Sequence, residues 1–282
     1  MIDSHQHFWI YRSEEYGWID DSMAALRRDF LPGDLPQEMA AAGVQASIAV
    51  QARQTLEETR WLLELADRHP AIAAVVGWVD LQATDVEHEL ERVSQHRRLA
   101  GIRHIVQGEP EGFLARPAFR RGIGALGRFD LTYDILVYAR QLPEAVTFAA
   151  AFPNQRFVLD HLGKPDIRGG EHRTWLRHFG AIAALPNVCC KLSGLVTEAD
   201  WHAWKPAQLR PYLDAALEAF GPSRLMIGSD WPVCLVAASY TQVIGLVVDA
   251  LGEYSVDERE LILSGTARDF FRLKAETTRV PL

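Results

Sequence analysis

The sequence predicts a single (β/α)8 barrel, regular or distorted, with one additional helix at its C-terminal end. Three observations favour this fold: eight short apolar segments typical of strands, amphipathic segments between them, and a length of 282 residues. Repeated strand–helix alternation favours a parallel sheet, and about 250 residues is the usual length of a barrel of this kind, the TIM barrel. An open sheet with a second domain is the alternative. We expect one domain over residues 1–282, because no Gly-, Ser- or Pro-rich linker divides the chain.

The predicted strands are rich in Val, Ile and aromatic residues, and Gly, Pro or Asn bounds several of them. They span residues 2–6, 46–52, 72–79, 101–106, 131–137, 156–161, 187–193 and 225–230. Because each is followed by a longer segment, we expect them to pair in parallel with a helix between each pair.

Helical character is clearest where apolar residues recur every three or four positions. It is present at residues 55–69 and at 205–220, where leucines recur at steps of four, and it is weaker at 84–97. The last predicted helix, near 256–273, begins with a capping-box pattern in which Ser255 is followed three residues later by Glu258. Residues 275–282 are predicted to be a polar tail.

Composition and charge exclude several classes of function. The chain has 29 Lys and Arg against 37 Asp and Glu, a formal net charge of −8, which disfavours a nucleic-acid partner because phosphate binding needs a basic face. No apolar run approaches the ~18 residues of a membrane span. The N-terminal residues lack the pattern of a secretory signal. We expect Cys189, Cys190 and Cys234 to be core thiols in a reducing cytoplasm rather than a disulfide framework.

Enzymes of the barrel class place their working residues at the carboxyl ends of the strands. The first predicted strand ends with His5 and His7, which share a face because side chains alternate along a strand. Two imidazoles at the mouth of a barrel can bind a metal or polarise a carbonyl. A polar N-terminal loop with incidental histidines is the alternative interpretation.

Two further strands end in residues that can carry chemistry. The sixth ends with Asp160 and His161 before a Gly-Lys-Pro turn; we expect His161 in the pocket and Asp160 in a supporting role, or one of them as a cap. The eighth ends with Asp230 before Trp-Pro. A carboxylate there can accept a proton from water or bind a metal, although an Asx turn would use the same residue.

A second group of residues is predicted to bind substrate. Alternation allows only one of Arg103 and His104 to face the interior of the barrel. Lys191 on the seventh strand points into the pocket or extends its amine elsewhere. Aromatic walls that stack on a sugar are the remaining prediction, and the candidates are Trp9, Trp18, Tyr138 and Trp231.

These segments together resemble the amidohydrolase superfamily from the first strand to the eighth. The matching pieces, in family order, are Asp3–Trp9, Gly101–His104, Leu159–Pro165, Lys191–Gly194 and Gly228–Pro232. Within the superfamily, the pattern looks most like the sugar-lactone hydrolases that act on L-fuconolactone or L-rhamnonolactone, and like pyrone-dicarboxylate lactonase.

The resemblance implies that the protein is a lactonase that opens a sugar lactone to the aldonic acid. Asp230 would be the general base that deprotonates water. His5, His7 and His161 would polarise the lactone carbonyl, directly or through a divalent cation. The substrate would be held by Arg103, His104, Lys191, Trp9 and Trp231. The expected partner is a small sugar lactone, and neither a nucleic acid nor a membrane is expected. A homo-oligomer is compatible with the sequence.

The sequence departs from the two-metal pattern of the superfamily. A bridging Lys or Glu is missing from the fourth strand, and the fifth strand has Tyr133 and Asp134 instead of a histidine. The remaining set, His5, His7, His161 and Asp230, is sufficient for at most one metal ion, for which zinc is the expected ion. Turnover without metal is also compatible with this set, since a lactone is an activated ester.

Two other functions remain open at the level of sequence. A decarboxylase of the same superfamily, acting on an unsaturated or aromatic acid, would use the same two-histidine strand and final Asp. A barrel that only binds carbohydrate would keep the aromatic walls but would have no need for three histidines and an Asp at strand ends.

Overall fold

The computed structural model describes residues 1–273 and confirms the (β/α)8 barrel. Eight strands hydrogen-bond in chain order, and every neighbouring pair is parallel. They are β1 (Ile2–Gln6), β2 (Ala46–Val50), β3 (Ile72–Gly77), β4 (Leu99–His104), β5 (Thr132–Ile135), β6 (Phe157–Leu159), β7 (Val188–Leu192) and β8 (Leu225–Ile227). All eight predicted strands exist, and all but the first end one to three residues earlier than predicted. The predicted polar tail, 275–282, lies outside the described residues.

A helix follows each strand and covers the outside of the barrel. These are α1 (Pro36–Ala41), α2 (Leu56–Arg68), α3 (Val86–Ser94), α4 (Pro117–Leu126), α5 (Leu142–Ala150), α6 (His172–Ala183), α7 (Pro206–Phe220) and α8 (Tyr240–Ala250). The final predicted helix is a continuous run of α9 (Val256–Glu260), a π-helical segment (Leu261–Gly265) and α10 (Thr266–Phe270). Its first turn is capped as predicted, since Glu258 N–H donates to Ser255 Oγ and Ser255 N–H donates to Glu258.

The barrel closes where the chain that leaves β8 meets β1. The buried carboxylate of Asp3 accepts hydrogen bonds from Ser229 N–H (2.9 Å), Ser229 Oγ (2.6 Å) and Tyr240 Oη (3.0 Å). Just beyond, Asp230 N–H donates to the His5 carbonyl at 2.8 Å. The first and last strands are therefore fastened together by a side chain of β1, and Asp230 is held beside His5.

The amino-terminal end of the barrel is filled with apolar side chains. Phe270 and Phe271, at the end of the C-terminal helical run, cover this end, and Arg156 Nη1 donates to the Phe270 carbonyl. The residues they pack against are Ile2, Ala46, Ile48, Val50, Ala73, Ala74, Val76, Val158 and Met226. Because this end is closed and apolar, polar chemistry is confined to the opposite, carboxyl end.

Two exclusions made from the sequence can be compared with the structure. Among residues 1–273, no helix has the length and apolar character required to cross a bilayer. In the same residues, Cys189, Cys190 and Cys234 form no disulfide, and all three pack against the core as predicted.

Candidate active site

Three histidines and one aspartate meet at the carboxyl end of the barrel. His5 Nε2 lies 3.1 Å from His7 Nε2. Asp230 Oδ1 lies 3.4 Å from His7 Nε2, 3.8 Å from His5 Nε2 and 3.9 Å from His161 Nε2. All four residues are buried, and none is more than 4% exposed. The first, sixth and eighth strands therefore deliver their polar ends to one point, as the fold predicts.

The backbone leaves the strand at two of these residues. His161 has φ of 53° and Asp230 has φ of 58°, and Leu162 and Lys164 are also left-handed, with φ of 54° and 49°. Left-handed backbone is uncommon for residues other than glycine, and it clusters at functional sites. These turns follow the ends of β6 and β8, and they direct the side chains of His161 and Asp230 into the mouth.

A glycine makes room for the His161 ring. Gly194 has φ of 65°, and a Cβ at this position would lie 2.5 Å from His161 Nδ1. The neighbouring Ser193 Oγ lies 2.9 Å from the same ring nitrogen. The chain after β7 therefore both approaches His161 closely and orients it with a hydrogen bond.

A network of four charged side chains lies directly beneath His5. Lys191 is hydrogen-bonded to Asp134, and its Nζ lies 3.0 Å from Asp160 Oδ1. Asp160 Oδ2 lies 3.0 Å from Arg103 Nη1. None of the four side chains is more than 3% exposed. Two cations and two carboxylates thus balance each other in the centre of the barrel, where an unpaired charge would be costly.

This network also surrounds His5 and fixes Arg103. Lys191 Nζ and Asp160 Oδ1 face His5 Nδ1, at 3.1 Å and 3.4 Å, and Arg103 Nη1 lies 3.2 Å from His5 Nε2. The other side of the Arg103 guanidinium donates to both the backbone carbonyl and the side-chain oxygen of Gln51. These contacts hold the His5 ring in one orientation within the cluster.

Burial and neighbouring charges set the protonation states of the cluster. Burial lowers the pKa of His161 to about 4 and lowers the pKa of His5 well below its usual value. Burial acts to raise the pKa of Asp230, but His161, His7 and His5 outweigh it and hold this pKa below its usual range. At neutral pH the site therefore combines neutral His5 and His161 with an ionised Asp230.

A cavity of about 420 Å³ opens above the cluster, and His7, His161 and Asp230 form its floor together with Arg103. Such a volume is typical of a site for a small molecule. Its walls come from the connections that follow the strands and include Trp18, Gln107, Tyr138, Lys164, Glu198 and Trp201. The cavity thus combines aromatic faces with hydrogen-bonding groups.

The structure separates the residues predicted to bind substrate. Arg103 lines the cavity, and its neighbour His104 points outwards, where Nε2 contacts Glu109 at 2.9 Å and the ring stacks on Phe113. Strand alternation allows only one of the pair to face inwards, as expected. Lys191 faces the barrel interior but lies beneath His5, fully buried, rather than in the cavity wall.

Two of the predicted aromatic walls are core residues instead. Trp231 packs on Phe30, and Trp9 packs on Phe30 and edge-to-face on Trp18, whose ring centroid is 5.8 Å away. Trp9 and Trp231 are therefore not in the cavity wall, whereas Trp18 and Tyr138 are. Trp9 supports the wall from behind, because the chain turns after β1 and buries it.

Sequence reasoning missed several residues of the site. Gln51 directly follows β2, so the rule that polar residues at strand ends face the mouth could have identified it. Gln107, Glu198 and Trp201 lie in connections between strands and helices. No periodicity marks the direction of such side chains, so only the folded chain identifies them.

Comparison with known proteins agrees with this architecture. The family model described as amidohydrolase matches residues 2–273. The chain belongs to the amidohydrolase family. It is 47% identical to an L-fucono-1,5-lactonase of Burkholderia multivorans, over 96% of each chain, and 39% identical to an L-fucono-1,5-lactonase of Burkholderia ambifaria, over 96% of this chain and 95% of that one.

A solved structure provides the corresponding comparison of folds. An amidohydrolase from Burkholderia multivorans, crystallised with bound zinc, is 46% identical to this chain. The two structures superpose with a TM-score of 0.93, over 97% of this chain and 99% of that one.

In the present chain, the cluster has the donor set of a single zinc site. Ligand atoms of His5, His161 and Asp230 all lie within 4.8 Å of one another. Two imidazoles and one carboxylate are a common catalytic zinc set, in which the fourth position is left for water or substrate. The neutral state of His5 and His161 also fits, since only the unprotonated imidazole binds a metal. His7 borders this group through His5 and Asp230.

Replacement of Gly194 tests the orientation of His161. We expect G194A to weaken zinc binding about tenfold or more, because the added methyl group must displace the His161 ring and because supporting contacts of ligands typically have effects of this size. Zinc affinity measured by calorimetry checks this. The matched control is G245A in α8, where a Cβ meets no atom within 4 Å. An unchanged zinc Kd in G194A would show that Gly194 has no such role.

Removal of Lys191 tests the buried charge network. We expect K191M to lower the free energy of unfolding by about 3–5 kcal/mol, because Asp134 and Asp160 lose the cation between them. Urea unfolding measures the change, and K205M, at an exposed lysine, is the control with an expected effect within about 0.5 kcal/mol. In the double variant K191M/D134N the cost should be less than the sum of the single costs. Simple additivity would contradict the network.

Proposed function

We propose that this amidohydrolase opens a sugar lactone by hydrolysis and releases the aldonic acid, and that L-fucono-1,5-lactone is the first substrate to test. The observation that carries the proposal is the buried cluster of three histidines and Asp230, of which His7, His161 and Asp230 line the floor of a cavity of about 420 Å³. The similarity to two L-fucono-1,5-lactonases, at 47% and 39% identity, supports the choice of substrate.

Asp230 is the general base of the proposed reaction. Its carboxylate takes a proton from water, and the water oxygen attacks the carbonyl carbon of the lactone. The tetrahedral adduct then collapses with cleavage of the bond to the ring oxygen, which receives the proton from Asp230 and becomes a hydroxyl group. Asp230 fits this role because it is ionised, lies beside three imidazoles and lines the cavity.

The residues around Asp230 stabilise the charge that develops on the carbonyl oxygen. Arg103 reaches the cavity floor and is held rigidly by Asp160 and Gln51, so its position requires no reorganisation during the reaction. His5, His161 and Asp230 would hold a zinc ion, which when bound would lower the pKa of water and polarise the carbonyl.

The cavity wall orients the sugar. Trp18, Tyr138 and Trp201 offer aromatic faces to the apolar side of a ring, and Gln107, Lys164 and Glu198 offer donors and acceptors to its hydroxyl groups. A site that pairs each hydroxyl group rejects analogues that leave its polar groups unpaired, so this wall is where the configuration of the sugar would be selected.

A screen of lactones, run with and without a chelator, tests the reaction, the substrate and the metal together. We expect acid release from 1,5-lactones of six-carbon sugars in a pH-indicator assay, and a loss of turnover after chelation that zinc restores. Unsaturated and aromatic carboxylic acids belong in the same screen, with release of carbon dioxide as the readout. Carbon dioxide from such acids without lactone opening would favour the decarboxylase instead.

Asp230→Asn tests the base. We expect kcat for lactone opening to fall by about 10²–10⁴, because the amide cannot accept the proton from water. The control is D214N, which removes an exposed carboxylate paired with Arg210 on α7. Turnover of D230N near that of the parent protein, with the fold confirmed by circular dichroism, would show that another group is the base.

A further inference from the structure

The cavity wall carries an ion pair between Lys164 and Glu198. Lys164 Nζ lies 3.0 Å from Glu198 Oε1 and 3.1 Å from Gln107 Oε1. Both charged side chains are mostly buried, with exposed fractions of 15% and 16%. The Lys164 ammonium also lies 5.0 Å from the centre of the Tyr138 ring. Its charge is therefore satisfied on three sides before any substrate enters.

The other cation that lines the cavity, Arg103, is also already paired within the protein. Arg103 is bonded to Asp160 at 3.0 Å and to Gln51 through the rest of its guanidinium. The carboxylates that line the same cavity are Asp20, Glu198 and Asp230. Among the described residues that line it, no cation is left without an anionic partner. A carboxylate on a substrate would therefore find no counter-ion in the wall.

We propose that the Lys164–Glu198 pair is a specificity element that selects uncharged, hydroxylated lactones against lactones that carry a carboxylate. The inference rests on the proposed function, since it concerns the substrate of the same site. The pair offers donors from Lys164 and an acceptor from Glu198, which together match a hydroxyl group that both donates and accepts. A carboxylate only accepts, so it would be repelled by Glu198 while Lys164 is already neutralised.

The pair therefore acts through its balance of charge and not through either residue alone. Removal of the negative charge should free Lys164 for a carboxylate. Removal of the positive charge should leave the Glu198 carboxylate unpaired and should increase the electrostatic repulsion between the wall and an anionic substrate. The two changes thus have opposite expected signs, which general damage to the wall would not produce.

The test compares galactono-1,4-lactone with the galactaro-1,4-lactone of the same ring configuration, which differ only in a terminal CH2OH or carboxylate. The measured quantity is the ratio of kcat/KM for the neutral lactone to that for the charged one. We expect E198Q to lower this ratio by at least about tenfold, since like-charge contacts are strongly unfavourable, and K164Q to raise it. The double variant K164Q/E198Q should return towards the parent ratio.

The matched control is E87Q, which makes the same substitution in an exposed ion pair between Glu87 and Arg128 on the outside of the barrel. It should leave the ratio unchanged. A ratio that stays within twofold of the parent in both E198Q and K164Q, or that moves in the same direction in both, overturns the inference while the proposed function stands.

Binding of the same two lactones to zinc-free protein, measured by calorimetry, separates the two proposals. If the parent protein opens no lactone, the proposed function fails, and the ratio of the two Kd values in the parent, E198Q and K164Q still decides the inference. Opposite shifts of that ratio support it, and shifts of the same sign or none overturn it.

Discussion

The site depends on the balance of four charges in the dry interior of the barrel. Burial raises the pKa of Asp134 to about 6, against the opposing charge of Lys191, whereas Lys191, His5 and Arg103 outweigh burial at Asp160 and hold its pKa well below the usual range. Each cation lies between two hydrogen-bond acceptors: Lys191 between the carboxylates of Asp134 and Asp160, and Arg103 between Asp160 and Gln51. Because His5 contacts Lys191, Asp160 and Arg103, the network that neutralises the interior also fixes the first histidine of the site.

The remaining members of the site are fixed by backbone rather than by charge. The chain turns into left-handed conformation at His161 and at Asp230, and it approaches His161 closely at Gly194. The side chain of Asp3 then ties β1 to the chain beyond β8 and so places Asp230 beside His5. Residues more than 200 positions apart are in this way brought within hydrogen-bonding range, and the apolar end closed by Phe270 and Phe271 leaves them only one direction in which to act.

Much of this arrangement could be predicted from single segments. The strands were recognisable because short runs rich in Val and Ile alternate with amphipathic segments, and the positions of His5, His7, His161 and Asp230 followed from the rule about strand ends. The ends of β2 to β8 were not, because the apolar pattern continues past the last paired residue of each strand, and it does not reveal that the backbone turns at His161 after β6 and at Asp230 after β8. The cavity wall was predicted only in part: Trp18 and Tyr138 line it, but Trp9 and Trp231 are packed in the core.

The sequence by itself determined the barrel, the order of its strands and the four residues at its mouth, since these depend on local periodicity and on the position of polar residues along each strand. Only the tertiary structure decided that Lys191 lies beneath His5, that His104 faces outwards, and that Lys164 is paired with Glu198. The physical reason is that these side chains are placed by partners distant in sequence. Which of two neighbouring groups neutralises a charge depends on distances between strands and connections, and such distances are not encoded in any single segment.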